Sequence, residues 1–230
     1  MSTDKTAMEI PAKLVKELRE RTNAGFSDCR AALVEAAAQL GDSADTARLL
    51  EKAIEVLRKK GQAAAAKKAT RAASEGLIGH YIHAGGKIGV IVEINCESDF
   101  VARTEAFQTL CHDVSMHIAA VDPRFVRREE VTPEMLEKER EIYTAQARAT
   151  GKPEQVIQKI VQGKMEKFYE ETCLYEQHYI KDETQTIGEM INAAIAKLGE
   201  NIAIRRFSRF KVGEVSGGTR DSIGSDSPTS

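Results

Sequence analysis

Apolar residues recur every three or four positions in the first part of the chain. A first stripe of this kind, formed by Leu14, Val15 and Leu18, lies between Pro11 and the turn sequence Asn23-Ala24-Gly25. This spacing places the apolar side chains on one face of an α-helix. Pro11 suits the first helical position, where an N–H would have no partner within the helix. The pattern therefore predicts a helix from Pro11 to the turn.

Two more helices with the same periodicity follow. The second is expected to begin with Ser27 or Asp28 as its N-cap. Its apolar face consists of Cys29, Ala32, Leu33, Ala36 and Leu40. The third ends in Arg58-Lys59-Lys60 and is closed by Gly61, because cations in the last turn and a glycine just past it suit a helix C-terminus. We predict a three-helix module over residues 1–62.

Residues 63–75 form an alanine-rich stretch with Lys67-Lys68 and Arg71 and no large apolar side chain. We expect a helical, solvated connector here. Together with Lys59-Lys60, these cations leave open a nucleic-acid-binding module. The overall charge argues against it, because 33 Lys and Arg against 35 Asp and Glu give a net charge of −2. Affinity for nucleic acid depends on a basic excess that this chain lacks.

The periodicity changes from helical to alternating at Gly76. Residues 77–83 and 87–94 alternate around Ala84-Gly85-Gly86, which is the composition of a β-hairpin and its turn. Residues 201–212 form a third segment of this type. A lone hairpin is only marginally stable, so we expect the third segment to complete a three-stranded antiparallel sheet.

Four helices are predicted between the hairpin and the last strand. The first runs from Phe107 to Ile118 and ends at Asp122-Pro123, because proline disfavours helical geometry in the residue before it. Thr132 is the expected N-cap of the next helix, with Pro133 at its first position. The remaining two start near Pro153 and Thr186.

These elements predict an α+β fold: an N-terminal three-helix bundle, then a three-stranded antiparallel sheet covered by helices. We expect the bundle to comprise residues 1–62, the connector residues 63–75, and the α+β core residues 76–212. Gly, Ser, Thr and Asp dominate residues 213–230, which is typical of a disordered tail.

Composition is that of a globular protein, with 42% hydrophobic and 30% charged residues. The four cysteines are scattered without a C-x-x-C pair, as expected of buried thiols in a reducing compartment. Residues 1–13 contain acidic residues and no arginine, unlike a targeting signal. No apolar run approaches the length of about 18 residues that spans a membrane. We expect a cytoplasmic protein that does not bind membranes.

A nucleotide-binding loop is not indicated. Gly86-Lys87 matches the end of the phosphate-loop motif, but Tyr81 takes the position of its first glycine and Ile88 follows the lysine. The motif fails at two positions, so we do not expect the chain itself to bind a nucleoside triphosphate.

Histidine and cysteine residues define an enzymatic alternative. His80 with His83, or His112 with His117, are candidate metal ligands beside Cys96, but neither pair has zinc-site spacing. The acidic neighbours of Cys96 raise a thiol pKa rather than activate a nucleophile. A hydrolase or metalloenzyme stays an alternative, and the prediction is a protein with no catalytic residues, metal or cofactor.

Two aromatic residues lie where the chain is expected to turn through solvent. Phe26 precedes the expected cap of the second helix, and Phe100 follows the acidic corner Glu97-Ser98-Asp99. In a structural interpretation, Phe26 is a hydrophobic staple and Phe100 fills the chain's own core. In a functional one, both are anchors that enter pockets of a partner. The local pattern leaves both open.

Three segments resemble the elongation factor Ts family, in the order in which that family carries them. They are residues 18–33, including Asp28-Cys29, residues 93–102 around Ser98-Asp99-Phe100-Val101, and Gly199-Glu200-Asn201-Ile202 with Arg205-Arg206-Phe207. Three ordered matches are far more specific than one. The resemblance implies that the N-terminal module is UBA-like.

The chain departs from the family pattern at a few positions. Asn23 replaces a glycine, Phe26-Ser27 replaces two methionines, and Ser98 replaces a threonine. The link between the second and third helices, residues 41–47, is longer than usual. One copy of the hairpin-plus-helices core is present, as in the short form of the family, whereas the long form has two related halves.

The resemblance implies a guanine-nucleotide exchange factor that binds elongation factor Tu during translation elongation. In that family the corner Ser98-Asp99-Phe100-Val101 acts on the nucleotide and Mg²⁺ site of Tu. The resemblance implies that Phe100 enters an apolar pocket of Tu and displaces side chains that support the metal. It also implies that Asp99 holds the corner in register and that Val101 lies beneath Phe100.

The resemblance also implies further contacts. Arg19, Phe26 and Ser27 of the first module dock on a helix of the GTPase domain of Tu, and the core, with His83, contacts a different Tu domain. Since one core copy stands where the long form has two, a symmetric homodimer is expected. No direct contact with nucleic acid is expected.

Overall fold

The computed structural model describes residues 10–22, 24–41 and 45–214. Asn23 and nearly all of the predicted tail lie outside these ranges. Three helices open the fold: α1 (Ala12–Thr22), α2 (Phe26–Leu40) and α3 (Thr46–Lys68). Their apolar faces form one core of Val15, Leu18, Cys29, Ala32, Leu33, Ala36, Leu50, Ala53 and Val56. The predicted three-helix bundle is confirmed.

The predicted starts of the first two helices are wrong by one to three residues. α1 begins after Pro11, and α2 begins at Phe26 with Gly25 as its N-cap. Ser27 and Asp28 therefore lie in the first turn of α2 and do not cap it. An acidic residue interacts favourably with the helix dipole in the first turn as well as at the cap. Composition alone therefore does not separate the two positions.

Three antiparallel strands form the main sheet, and the second strand of the hairpin lies at its centre. β1 (Glu75–Ile82) pairs with β2 (Ile88–Cys96), which pairs on its other side with β5 (Ala203–Lys211). The hairpin turn contains Gly85 and Gly86 with φ values of 90° and 68°, which glycine adopts readily. The predicted hairpin and its completion by a third strand are confirmed.

Helices cover one face of this sheet. α4 (Asp99–Ala102), α5 (Glu105–Val121) and α8 (Ile187–Leu198) share a core with the inward side chains of the strands. The caps of the two long helices are side-chain hydroxyls: Thr104 Oγ1 accepts the N–H of Phe107 at 3.3 Å, and Thr186 Oγ1 accepts that of Glu189 at 3.1 Å. α5 and α8 match the prediction, whereas the sequence does not predict α4.

A helical hairpin and a small second sheet complete the described chain. α6 (Pro133–Arg148) begins at the predicted proline, with Thr132 as its N-cap, and α7 (Glu154–Thr172) packs along it. β3 (His178–Tyr179) and β4 (Asp182–Thr186) pair with each other. These two strands are too short and too polar to show alternation, so the sequence does not predict them.

Gly61 lies inside α3, and the prediction that it ends the helix is wrong. α3 continues to Lys68, into the stretch expected as connector, and the division of the chain at residues 62 and 63 stays a prediction. Gly61 is buried where α3 meets α8: a Cβ at this position would lie 3.5 Å from the carbonyl oxygen of Asn192. The glycine marks a close helix contact, and its cationic neighbours lie in mid-helix.

Candidate partner-binding site

Phe100 is the second residue of α4, the single helical turn that follows β2. Ser98 caps this turn, since its Oγ accepts the N–H of Val101 at 3.4 Å. Val101 and Ala102 are buried in the core of the sheet, whereas the Phe100 side chain is 81% exposed. The interpretation of Phe100 as part of its own core is therefore wrong. An exposed ring on a buried base is suited to anchor a partner.

Asp99 forms an ion pair with Arg103, one turn further on. Arg103 Nε donates to Asp99 Oδ1 at 3.1 Å. Both side chains are more than half exposed, so the pair contributes little to folding stability. It does bring two opposite charges to the solvent side of α4, next to the Phe100 ring. The exposed part of the corner is thus one aromatic ring beside an ion pair.

The carboxylate of Glu200, from a distant part of the chain, binds the start of α4. Glu200 Oε2 accepts the N–H groups of Glu97 at 3.1 Å and Ser98 at 3.0 Å, and Oε1 accepts the Ser98 hydroxyl at 2.5 Å. Hydrogen bonds to an ionised group are stronger than those between neutral groups. The second and third of the segments that resemble the family therefore meet in space at this carboxylate.

Glu97 extends this polar network to the chain that leaves α3. Its Oε1 accepts the N–H of Asn201 at 2.6 Å and lies 3.5 Å from Arg71 Nη1. The Asn201 side chain donates to the carbonyl oxygen of Arg71 at 2.8 Å. The corner, the segment after α8 and the chain before β1 are thus held together by hydrogen bonds.

The candidate residues of the first module are exposed on neighbouring helices. Arg19 lies on α1, and Phe26 and Ser27 begin α2. Phe26 is 53% exposed and is itself the first helical residue. A hydrophobic staple needs the residue before the N-cap, so that interpretation of Phe26 is wrong. All three side chains are available to a partner.

The structure does not bring His83 together with Phe100. His83 follows β1 at the hairpin turn, whereas Phe100 follows the opposite end of β2. At about 3.3 Å per residue, these ends are roughly 25 Å apart. His83 is exposed, and its Nδ1 lies 3.1 Å from the Tyr81 hydroxyl. The candidate residues therefore form separate patches on one molecule.

Comparison with known proteins identifies the family. The family model described as Elongation factor TS matches residues 12–214. The chain is 62% identical to Elongation factor Ts of Koribacter versatilis over 208 residues, which is 90% of each protein. The chain belongs to the elongation factor Ts family. It is therefore one of the elongation factors of protein biosynthesis.

Other elongation factor Ts relatives are similar along their whole length. The protein of Solibacter usitatus is 54% identical over 220 residues, covering 96% of this chain and 98% of the relative. That of Thermosipho melanesiensis is 57% identical over 205 residues, covering 89% of this chain and all of the relative. The matches include the bundle, the sheet and the helical hairpin together.

Neither thiol nor metal chemistry is supported by the described residues of this chain. All four cysteines are buried, and desolvation raises the pKa of Cys111 to about 12. Desolvation also raises the pKa of Cys96, and the charge of Glu200 adds to that effect. These thiols are protonated at neutral pH and weakly nucleophilic. Across the described ranges, no cluster of three or more His, Cys, Asp or Glu side chains is arranged to hold a metal ion.

The basic stretch considered for nucleic acid is partly neutralised. Lys59 Nζ lies 2.6 Å from Glu55 Oε1, and Lys60 Nζ lies 2.8 Å from Glu35 Oε2. Arg71 pairs with Glu97 in the network described above. Paired cations offer less net charge to a phosphate backbone.

A helix that crosses a membrane has to be long and apolar. Among the residues that the structure describes, no helix has both properties.

Four exposed apolar side chains lie on the outward face of the main sheet, together with the exposed His80, which lies opposite Ile91. Ile78, Ile82, Ile91 and Phe210 are exposed by 60%, 64%, 51% and 66%. The strand register places them on one face, because residues opposite each other in a ladder point to the same side: Ile82 lies opposite Gly89, and Gly89 opposite Phe210. We call these four residues the outer sheet patch.

Sequence reasoning assigned no role to Glu200, although it lies within the third family-like segment. The available signal was the presence of an acidic residue just after a helix C-terminus, where the dipole disfavours it. Such a carboxylate needs donors from elsewhere. The sequence does not say that these donors come from residues 97 and 98.

Proposed function

We propose that this protein is the guanine-nucleotide exchange factor of elongation factor Tu and promotes the release of GDP. Membership of the elongation factor Ts family supports the choice of partner. The exposed ring of Phe100, on a turn whose next two residues are buried, is the observation that carries the mechanism. We assign the activity to the cytoplasm, as the sequence predicts.

In the proposed complex, the Phe100 ring enters an apolar pocket of Tu. Burying a phenylalanine side chain contributes about 1.5–3 kcal/mol. The ring already points into solvent, and Ser98 holds its turn, so the protein needs little rearrangement before binding. Inside the pocket the ring displaces side chains that support the Mg²⁺ ion bridging the phosphate oxygens of the nucleotide.

Exchange then follows from thermodynamic linkage. A protein that binds nucleotide-free Tu more tightly than Tu·GDP must lower the affinity of Tu for GDP by the same factor. No covalent bond changes in this process, so the protein acts as a binding partner rather than as an enzyme. Asp99 keeps the corner in register through Arg103, and Val101 supports the ring from below.

A second contact comes from the first module. Arg19, Phe26 and Ser27 are exposed there and dock on the GTPase domain in this proposal. α3 belongs to the module and also contacts α8 of the core. The module and the corner are therefore held in one arrangement before Tu binds. His83, at the other end of the sheet, would contact a different part of Tu.

We further propose that two copies associate through the outer sheet patch. Its apolar side chains are exposed by half or more, which is unusual for a surface that stays in water. A two-fold axis brings a patch on one copy against the same patch on a second copy, so that one surface is enough to form the dimer. The pair would supply two cores, as the long form of the family does within one chain.

Release of labelled GDP from purified Tu tests the exchange function directly. Tu loaded with fluorescent GDP is mixed with excess unlabelled GDP, with and without this protein. We expect release to accelerate with increasing protein concentration and to saturate. A release rate equal to that of Tu alone at all concentrations would contradict the proposed function. In parallel, retention of tRNA on filters across a salt series tests nucleic-acid binding, for which we expect no steep salt dependence.

A further inference from the structure

We infer that Glu200 is a positioning residue that sets the orientation of Phe100 for exchange. This inference rests on the proposed function. Phe100 sits on a helix of four residues, Asp99–Ala102. A single helical turn has no stability of its own, since nucleation fixes several residues for one hydrogen bond. The orientation of the ring must therefore be set by groups outside α4.

The two oxygens of Glu200 fix the chain at the start of α4. Oε2 accepts the consecutive N–H groups of Glu97 and Ser98, at 3.1 and 3.0 Å, which defines the direction of the main chain there. Oε1 accepts the Ser98 hydroxyl hydrogen. A hydroxyl has one hydrogen, so donating it to Glu200 turns its lone pairs toward the N–H of Val101, 3.4 Å away. Glu200 thereby orients the cap of the turn that carries Phe100.

Glu200 is itself held in place by the reverse arrangement. Glu97 Oε1 accepts the N–H of Asn201, the residue after Glu200, at 2.6 Å. Each of the two segments thus uses a glutamate to bind the main chain of the other. Asn201 is buried and also binds the carbonyl oxygen of Arg71. Both segments are anchored in the core. The Glu200 carboxylate is therefore held in a fixed position, and its hydrogen bonds fix the start of α4 relative to the core.

This role predicts a particular kinetic defect. Without the carboxylate, two main-chain N–H groups and a hydroxyl lose their acceptor, and the start of α4 loosens. The first module and the rest of the core keep their surfaces, so binding to Tu is largely preserved. The maximal rate of GDP release, which depends on the ring reaching its pocket, falls more than the affinity does. A merely structural role would lower the unfolding temperature without this separation.

The test measures GDP release from Tu as a function of factor concentration for Glu200→Ala, Glu200→Gln and Ser98→Ala. For Glu200→Ala we expect about a tenfold lower maximal rate, with a half-saturating concentration within about twofold of the wild type. Glu200→Gln keeps an acceptor oxygen, so its maximal rate should lie between those of Glu200→Ala and the wild type. Ser98→Ala loses the hydroxyl but keeps both N–H bonds, so its loss is smaller. Glu141→Gln, an exposed glutamate on α6, is the matched control and should equal the wild type.

A double-mutant cycle with Phe100→Ala decides whether Glu200 acts through the ring. If it does, adding Glu200→Gln to Phe100→Ala slows release no further. Additive effects, or single Glu200 variants at the wild-type maximal rate, overturn the inference while leaving the proposed function standing. If the single variant Phe100→Ala promotes GDP release from Tu at the wild-type rate, the proposed mechanism is wrong, and this inference is wrong with it. Circular dichroism melts, expected to be close to the wild type for Glu200→Gln, establish that the variants are folded.

Discussion

Gly61 of α3 lies against the main chain of Asn192 in α8, where a Cβ on residue 61 would be 3.5 Å from the Asn192 carbonyl oxygen. One helical turn earlier, Arg58 Nε lies 3.8 Å from Glu189 Oε1, on the same two helices. These contacts join the first module to the core of the sheet. The relative orientation of the two proposed Tu-binding regions therefore depends on this helix pair.

Small and large side chains at position 61 should change the folding stability in opposite directions. For Gly61→Ala, the added Cβ would make ordinary contacts, and alanine favours a helix interior over glycine by about 0.8–1 kcal/mol. We expect Gly61→Ala to be at least as stable as the wild type. Gly61→Leu would force α3 away from α8, and overpacking of this kind costs about 1–3 kcal/mol. Urea unfolding measures both, and a destabilised Gly61→Ala would contradict the proposed fit.

Gly61 also shows where sequence reasoning fails. Lysines followed by a glycine are the local signal of a helix end, and Arg58-Lys59-Lys60-Gly61 carries it fully. The helix continues because its other face is buried against α8, about 130 residues later in the chain. Tertiary packing overrides the local signal, and no pattern within the third helix identifies the partner that it packs against.

Features fixed by neighbouring residues were predictable. Thr132-Pro133 begins α6 as expected, and the glycine-rich turn forms the hairpin. The exposure of Phe100 was not predictable, because it depends on which residues of α4 the sheet buries. The contact between Ser98 and Glu200 joins residues 102 positions apart. Both residues can be read from the sequence, but their contact cannot be predicted from it. The residues of the candidate site were thus predictable from the sequence, whereas their spatial arrangement became known only from the structure.

Phe100→Ala should slow GDP release from Tu by at least about tenfold, if the buried ring contributes the 1.5–3 kcal/mol of its transfer from water. The ring is 81% exposed in the free protein, so its removal should leave the free energy of unfolding within about 0.5 kcal/mol of the wild type. GDP-release kinetics and urea unfolding give the two numbers.

Phe107→Ala is the matched control for this change, with the same residue type seven positions later. Phe107 is fully buried in the core of the sheet, so its truncation should lower the free energy of unfolding by about 3–5 kcal/mol. A Phe100→Ala protein that unfolds as easily as Phe107→Ala would contradict the view of Phe100 as a surface anchor.

Acidification should destabilise the protein through His117. This side chain is buried, its Nε2 lies 3.0 Å from Gln177 Oε1, and burial lowers its pKa. An unfolded histidine binds a proton near pH 6.5, whereas the folded one does so only at lower pH. The unfolded state therefore binds more protons as the pH falls below about 6.5, and stability decreases by up to about 1.4 kcal/mol per pH unit. Above that pH both states are neutral and the effect is absent.

Urea unfolding between pH 7.5 and pH 5.5 measures this slope. His117→Gln removes the titrating group and should flatten the decrease, whatever its own stability at pH 7.5. His83→Gln, at an exposed position, should leave the slope as in the wild type. If the slope persists unchanged in His117→Gln, another group is responsible.

Ile91→Asp should separate the proposed dimer into monomers. Ile91 lies within the outer sheet patch and is 51% exposed, so the free chain tolerates a charge there, whereas an apolar interface would bury it unpaired. Sedimentation equilibrium should show the mass falling from about twice the chain mass to the 25.3 kDa of one chain. Ile142→Asp, on α6 with an exposure of 49%, is the matched control and should remain dimeric. A wild type that sediments as a monomer at high micromolar concentration, or an Ile91→Asp variant that stays dimeric, would exclude this patch as the dimer interface.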